Sequence, residues 1–166
     1  MKKTAAFLMW AFAIAGFILS AYLVFHHYQI RYTEGYKSVC NINEQLNCDA
    51  VALHTSSEFL WVPVAVWGLF FYGTIMYLLF LNAYIKEPAT RTRINHFFIC
   101  ILLTGFLVDL YFLWVSLGVI HSICIFCVST YFANAFMLLI GLDLGAQWKR
   151  IPRSIKYVLQ DFGWGS

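Results

Sequence analysis

Apolar positions in this chain run together instead of alternating with polar ones. Four stretches, at about residues 4–25, 59–85, 94–120 and 122–142, are almost free of charge. Each can cross a bilayer, which takes about 20 apolar residues in a helix. The second carries no charge, and the third is interrupted only by Asp109. In hydrocarbon every backbone N–H and C=O must be paired within the segment, so the pattern predicts helices. The third and fourth stretches are nearly continuous, which calls for a tight turn near His121. Pro63 falls in the first turns of the second span, where its missing N–H costs least. The sizeable polar stretch, 26–58, is expected to be partly helical, because Asn41 to Leu53 spaces apolar residues loosely at helical intervals. The expected architecture is an all-α integral membrane protein. It is a single domain over residues 1–166: a four-transmembrane-helix bundle with a partly helical outer loop between helices 1 and 2.

Composition supports the bilayer as solvent. Only 11% of the 166 residues are charged, against about a quarter in soluble domains. The placement of charge matters more than its sum. Nine of the eleven Lys and Arg residues sit at the N-terminus, in the 86–93 connector and in the tail, while Arg31 and Lys37 lie in the outer loop. By the positive-inside rule both termini are cytoplasmic, and the 26–58 loop and the His121 turn face the periplasm or a lumen. Met1-Lys2-Lys3 before an apolar run resembles a signal peptide. The run of about 22 residues is long for one, and no small-x-small site closes it, so an uncleaved anchor helix is expected. Trp148, Tyr157 and Trp164, interleaved with basic residues, suit a tail lying at the inner interface. With the basic residues at segment ends, no nucleic-acid partner is implied.

The chemistry lies in the cysteines. Cys40 and Cys48 are in the outer loop, and Cys124 and Cys127 begin the fourth span at the same membrane face. Cys100 lies 24 residues before Cys124, roughly 36 Å of helix, so it is read as a small core residue. Cys124-Ile125-Phe126-Cys127 is a C-x-x-C at a helix N-terminus. Its spacing puts both sulfurs on one face, where the helix dipole and free N–H groups favour a thiolate. Tyr131 and Asn134 continue that face into the bilayer. Two thiols, a phenol and an amide in one stripe suit an apolar ring bearing carbonyl groups, such as a quinone.

Blander readings compete. Two pairs of cysteines on one face could form a four-cysteine zinc site, although an oxidising compartment disfavours free thiolates. Tyr131 and Asn134 could simply pack helices. Asp109, a carboxylate mid-span, is a functional-site candidate by default, with an internally paired structural role as the rival. His26, His27 and Arg31 read as interfacial residues ending the first span. His54 and His121 are near the outer face and could move protons.

Several motifs together resemble the vitamin K epoxide reductase family. They are Cys40-x7-Cys48, Cys48-Asp49-Ala50-Val51, Val62-Pro63-Val64-Ala65-Val66-Trp67-Gly68, Tyr111 at its distance from the C-x-x-C, and Cys124-Ile125-Phe126-Cys127-Val128-Ser129-Thr130-Tyr131 with Asn134. The resemblance runs from about Cys40 to Leu142. Two positions depart from it. His54 stands where the family usually has a serine, with Thr55, Ser56 and Ser57 close behind, and Trp61 stands where it usually has glycine.

The resemblance implies a quinone-dependent thiol oxidoreductase. A separate thioredoxin-fold partner would attack a Cys40–Cys48 disulfide at Cys40. Cys48 would attack Cys124, and Cys127 would pass electrons to a membrane quinone of the ubiquinone, menaquinone or vitamin K type. Tyr131, Asn134, Asp109, Tyr111 and His54 are the implied cofactor-binding residues, and no metal is implied. The bacterial-looking Pro63–Gly68 stretch implies a bacterial inner membrane with the site facing the periplasm. The alternatives are reduction of vitamin K epoxide or quinone in an endoplasmic reticulum membrane, a non-enzymatic cysteine-rich metal-binding membrane protein, and a structural tetraspan protein with stable disulfides.

Overall fold

The computed structural model describes residues 3–85 and 87–148. Its main elements are α1 (Lys3–Tyr32), α2 (Cys48–Leu53), β1 (Glu58–Phe59), β2 (Val62–Pro63), α3 (Val64–Tyr84), α4 (Pro88–Val115) and α5 (Ile125–Trp148). Among the described residues α1, α3, α4 and α5 are each long and apolar enough to cross a membrane. Their outward faces are apolar, as a lipid solvent requires.

The helices run up, down, up and down, each antiparallel to its neighbours. Phe12 of α1 stacks on Phe136 of α5, and Tyr22 meets Phe126, so α1 rises as α5 descends. Gly16 and Ser20 of α1 meet Tyr72 and Gly68 of α3 in the same antiparallel sense. At the far end Asn82 of α3 hydrogen-bonds Asn95 of α4 and accepts from the Arg91 guanidinium. The apolar core between the helices is built on Met9, Ile75, Leu102 and Met137, all fully buried.

Several boundaries differ from the sequence expectation, each for a tertiary reason. Helix α1 continues to Tyr32 instead of ending near residue 25. At 30 residues it is roughly 45 Å long, well beyond a hydrocarbon core of about 30 Å. Its upper turns are held by the outer loop, which buries His26 and His27. The helix expected over Asn41–Leu53 forms only from Cys48, where the Asn47 side chain accepts from the Ala50 N–H and caps α2. Residues 59–63, expected to open the second span, instead form a hairpin with Glu58, which pairs with Pro63 while Phe59 pairs with Val62. Helix α4 ends in a π-helical turn, Ser116–Ile120, and the chain reverses at His121 in the left-handed conformation. Cys100 is exposed and not a core residue.

Arg91 and Arg93 lie at the α3–α4 end of the bundle, and Arg31 and Lys37 at the opposite end. Lys2, Lys86 and the basic residues from Lys149 onward, which carry most of the orientation expectation, lie outside the described residues. So do Tyr157 and Trp164 of the expected interfacial tail.

Candidate active site

The outer loop is sewn to the start of α5 by backbone. Leu46 forms a parallel bridge with Ile123. The Asn47 N–H donates to the Ile123 carbonyl at 3.1 Å, and the Ile123 N–H to the Gln45 carbonyl at 2.7 Å. The Ser122 hydroxyl adds a bond to the Glu44 carbonyl at 2.9 Å. These bonds set Cys48, first residue of α2, beside Cys124, the residue before α5. Cys40 and Cys48 are joined as a disulfide, and Cys124 and Cys127 are free thiols. The sulfurs of Cys40, Cys48 and Cys124 all lie within 4.8 Å of one another. All three residues are buried, with Leu23, Val51 and Phe126 packed around them.

Cys124 caps its own helix. Its Sγ accepts from the Cys127 N–H at 3.3 Å, the position an N-cap oxygen ordinarily takes. A hydrogen bond from the Cys127 side chain holds the Cys124 thiol below its ordinary value. Burial opposes this, and the Cys127 and Phe126 N–H groups add to it.

Asp49, next to Cys48, clamps the loop. One carboxylate oxygen meets His26 Nε2 at 2.9 Å. The other accepts from the Ser38 N–H at 3.3 Å and from the Asn41 side chain. Further out, Glu58 binds Arg31 at 2.6 Å and His27 at 3.3 Å, pinning the hairpin to α1. Motif spacing did not single out the clamp roles of His26, His27, Asp49 and Glu58. Two adjacent histidines at the end of an apolar run, followed by acids in the next loop, were the available signal.

Below the sulfurs lies a mostly apolar cavity of about 550 Å³, reached by Cys48, Cys124 and Cys127. Ligand cavities usually span about 300–1,000 Å³. It opens toward the lipid-facing surface between α3 and α4, where its lining residues Trp67, Phe97, Cys100 and Val108 are exposed. Tyr131, Asn134 and Asp109 also line it. The Asn134 Nδ2 donates to Asp109 at 2.7 Å. Its Oδ1 is buried without a hydrogen-bond partner, in a residue only 1% exposed. An unpaired buried carbonyl costs about 1–3 kcal/mol, so this oxygen is open to a hydroxyl or N–H donor within the cavity. A flat ring with oxygen substituents and an apolar tail fits such a space.

Tyr111 and His54 do not line the cavity. Tyr111 is 56% exposed on the outside of α4. His54 caps a short 3₁₀ turn, Thr55–Ser57, its Nδ1 accepting from the Ser56 N–H at 3.2 Å. That turn presents Ser56 and Ser57 to the cavity, so hydroxyls reach it although the usual serine is absent. His121 is exposed at the turn between α4 and α5.

A four-helix apolar bundle with two cysteine pairs at one end, above a ligand-sized cavity, defines a membrane-embedded thiol oxidoreductase class. The chain belongs to the vitamin K epoxide reductase family, whose sequence profile matches residues 7–142. It is therefore an integral membrane protein of a family of oxidoreductases. No individual curated protein matches the chain.

Proposed function

We propose that this protein oxidises the dithiol of a separate thioredoxin-fold partner at the periplasmic face of a bacterial inner membrane and passes the electrons to a membrane quinone. One observation carries this reading: three sulfurs from two pairs meet within 4.8 Å at the top of a cavity open to lipid.

Each step is thiolate attack on a disulfide sulfur. A partner thiolate attacks Cys40, and Cys48 leaves as a thiolate. The partner's second thiolate resolves the mixed disulfide, so the partner departs oxidised and Cys40 is freed. Cys48 attacks Cys124 of a Cys124–Cys127 disulfide, releasing Cys127. Cys40 then closes on Cys48 and releases Cys124. The result is the sulfur state seen here: Cys40–Cys48 joined, Cys124 and Cys127 reduced. Cys127, deeper than Cys124 on the same helix, gives an electron pair to the ring, and Cys124 closes on Cys127. The dithiol loses two electrons and two protons, and a bound quinone accepts both to become quinol. Tyr131 and Asn134 orient the ring through its oxygens.

The test is quinone reduction by purified protein driven by a reduced thioredoxin-fold partner, with wild type beside Cys127→Ser. Turnover in wild type that is lost in the variant is the expected result. A folded wild-type protein inert toward ubiquinone, menaquinone and vitamin K analogues sinks the reading.

A further inference from the structure

Disulfide exchange moves electrons as thiolates, and the protons do not travel with them. A quinone gaining two electrons also needs a proton at each ring oxygen. In the reduced pair the Cys127 N–H donates to the Cys124 sulfur at 3.3 Å, a contact that favours the Cys124 thiolate. Cys127, the thiol at the ring, must shed its proton as its electron pair leaves. That proton needs an acceptor within the cavity.

Among the titratable groups on the cavity wall, Asp109 is the one placed for this. His26 and His27 are engaged by Asp49 and Glu58 at the outer rim. Tyr72 gives its hydroxyl hydrogen to the Thr130 carbonyl at 2.9 Å. Asp109 lines the same cavity as Cys127 and Tyr131 of α5 and Tyr72 of α3. Its carboxyl is held in one orientation by the Asn134 Nδ2, which leaves its other oxygen for exchange. Beside it, the Asn134 Oδ1 is an acceptor with nothing to accept from. A quinone carbonyl cannot satisfy that oxygen, but a quinol hydroxyl can.

We propose that Asp109 is the intramembrane acid–base of the reaction and that Asn134 is its positioning partner and the receptor for the hydroxyl it creates. This rests on the quinone reading above. Asp109 takes the Cys127 thiol proton as the Cys127 electron pair goes to the ring, and delivers it to one ring oxygen. The other oxygen takes a proton from water at the outer end of the cavity, replacing the one Cys124 released there. The new hydroxyl donates to the Asn134 Oδ1, so the site favours the reduced ring over the oxidised one.

The test combines turnover with binding, in full-length protein in lipid nanodiscs. Asp109→Asn keeps a partner for the Asn134 amide but cannot carry a proton. Turnover is expected to fall about a hundred-fold, the usual scale for loss of a general acid. KM should change little, and Asp109→Glu should restore part of the rate. Binding is read by quenching of Trp67, which lines the cavity, in a Cys124→Ser/Cys127→Ser background that cannot react. Asn134→Leu is expected to weaken binding of a short-chain quinol by a several-fold larger factor than binding of the matching quinone. Wild-type turnover with an equally active Asp109→Asn, or equal losses for quinol and quinone in Asn134→Leu, overturns the inference and leaves the quinone reading standing. A wild type inert toward every quinone overturns both.

Discussion

Tyr72 lies with its ring against the backbone of Gly16 and donates its hydroxyl hydrogen to the Thr130 carbonyl at 2.9 Å. One side chain of α3 therefore joins α1 to α5, directly beneath the cavity. A Cβ on Gly16 would sit 2.2 Å from the Tyr72 ring, which is buried and held at its far end, so it has nowhere to go. Gly16→Ala is expected to cost about 1–3 kcal/mol, as overpacking does. Thermal unfolding in micelles should show a clearly lowered midpoint, with a smaller loss of about 1 kcal/mol for Tyr72→Phe.

Asp49 is the clamp that keeps the Cys40–Cys48 pair over Cys124. Removing it strands His26, itself only 1% exposed, without its carboxylate. Breaking one side of a buried pair costs about 3–5 kcal/mol. Asp49→Ala should loosen the loop and slow electron transfer from the Cys40–Cys48 pair to Cys124 by about ten-fold or more, since about 1.4 kcal/mol of misplacement suffices for that. Acid-quench alkylation after mixing with a reduced partner reads the rate. An unchanged rate would show that the backbone stitches at Asn47 and Ile123 hold the sulfurs unaided.

The Cys124 thiol is predicted to be reactive at lower pH than a free cysteine. Its hydrogen bond from Cys127 favours the thiolate, so its value lies below the ordinary one, near 8.5 for free cysteine. Alkylation of the reduced protein should rise with pH through a midpoint below that value, and Cys127→Ala should move the midpoint up. The linked stability has a definite sign. The folded value is depressed, so the contribution is complete above the unfolded thiol's value and is lost as pH falls through the folded one. A midpoint unchanged by Cys127→Ala contradicts this.

The hairpin between α2 and α3 turns on Leu60 and Trp61, with φ of 54° and 65°. A two-residue turn with both φ values positive ordinarily uses Asn-Gly, and a bulky residue there costs about 1–2 kcal/mol. Trp61 is 94% exposed, so its ring adds little to packing within the chain. Trp61→Gly is expected to raise the unfolding midpoint in micelles. In vesicles it should release the hairpin from the lipid interface, where an exposed indole is most at home, seen as greater accessibility of a label at residue 60. No gain in micelles would mean the ring packs against detergent strongly enough to offset the strain.

Much of this protein was legible in the sequence because the bilayer leaves few choices. Once the apolar stretches around residues 4–25, 59–85, 94–120 and 122–142 are seen, hydrocarbon forces them into helices, and the short joint at His121 makes the last two antiparallel. Spacing alone put Cys124, Cys127, Tyr131 and Asn134 on one stripe, since an α-helix fixes which side chains share a face. What sequence could not supply was every relationship set by long-range contact. Helix α1 outruns its apolar stretch because His26 and His27 find carboxylates 23 and 31 residues away, at Asp49 and Glu58. Cys48 reaches Cys124 because Leu46 pairs with Ile123 through backbone bonds, which any side chains could make. His54 turns out to cap the 3₁₀ turn through its Nδ1, and the register of α4 turns Tyr111 outward, away from the cavity. Asp109 was conspicuous from the start as a charge in a span. Only the fold put Asn134 against it, with one amide atom paired and the other left facing the cavity.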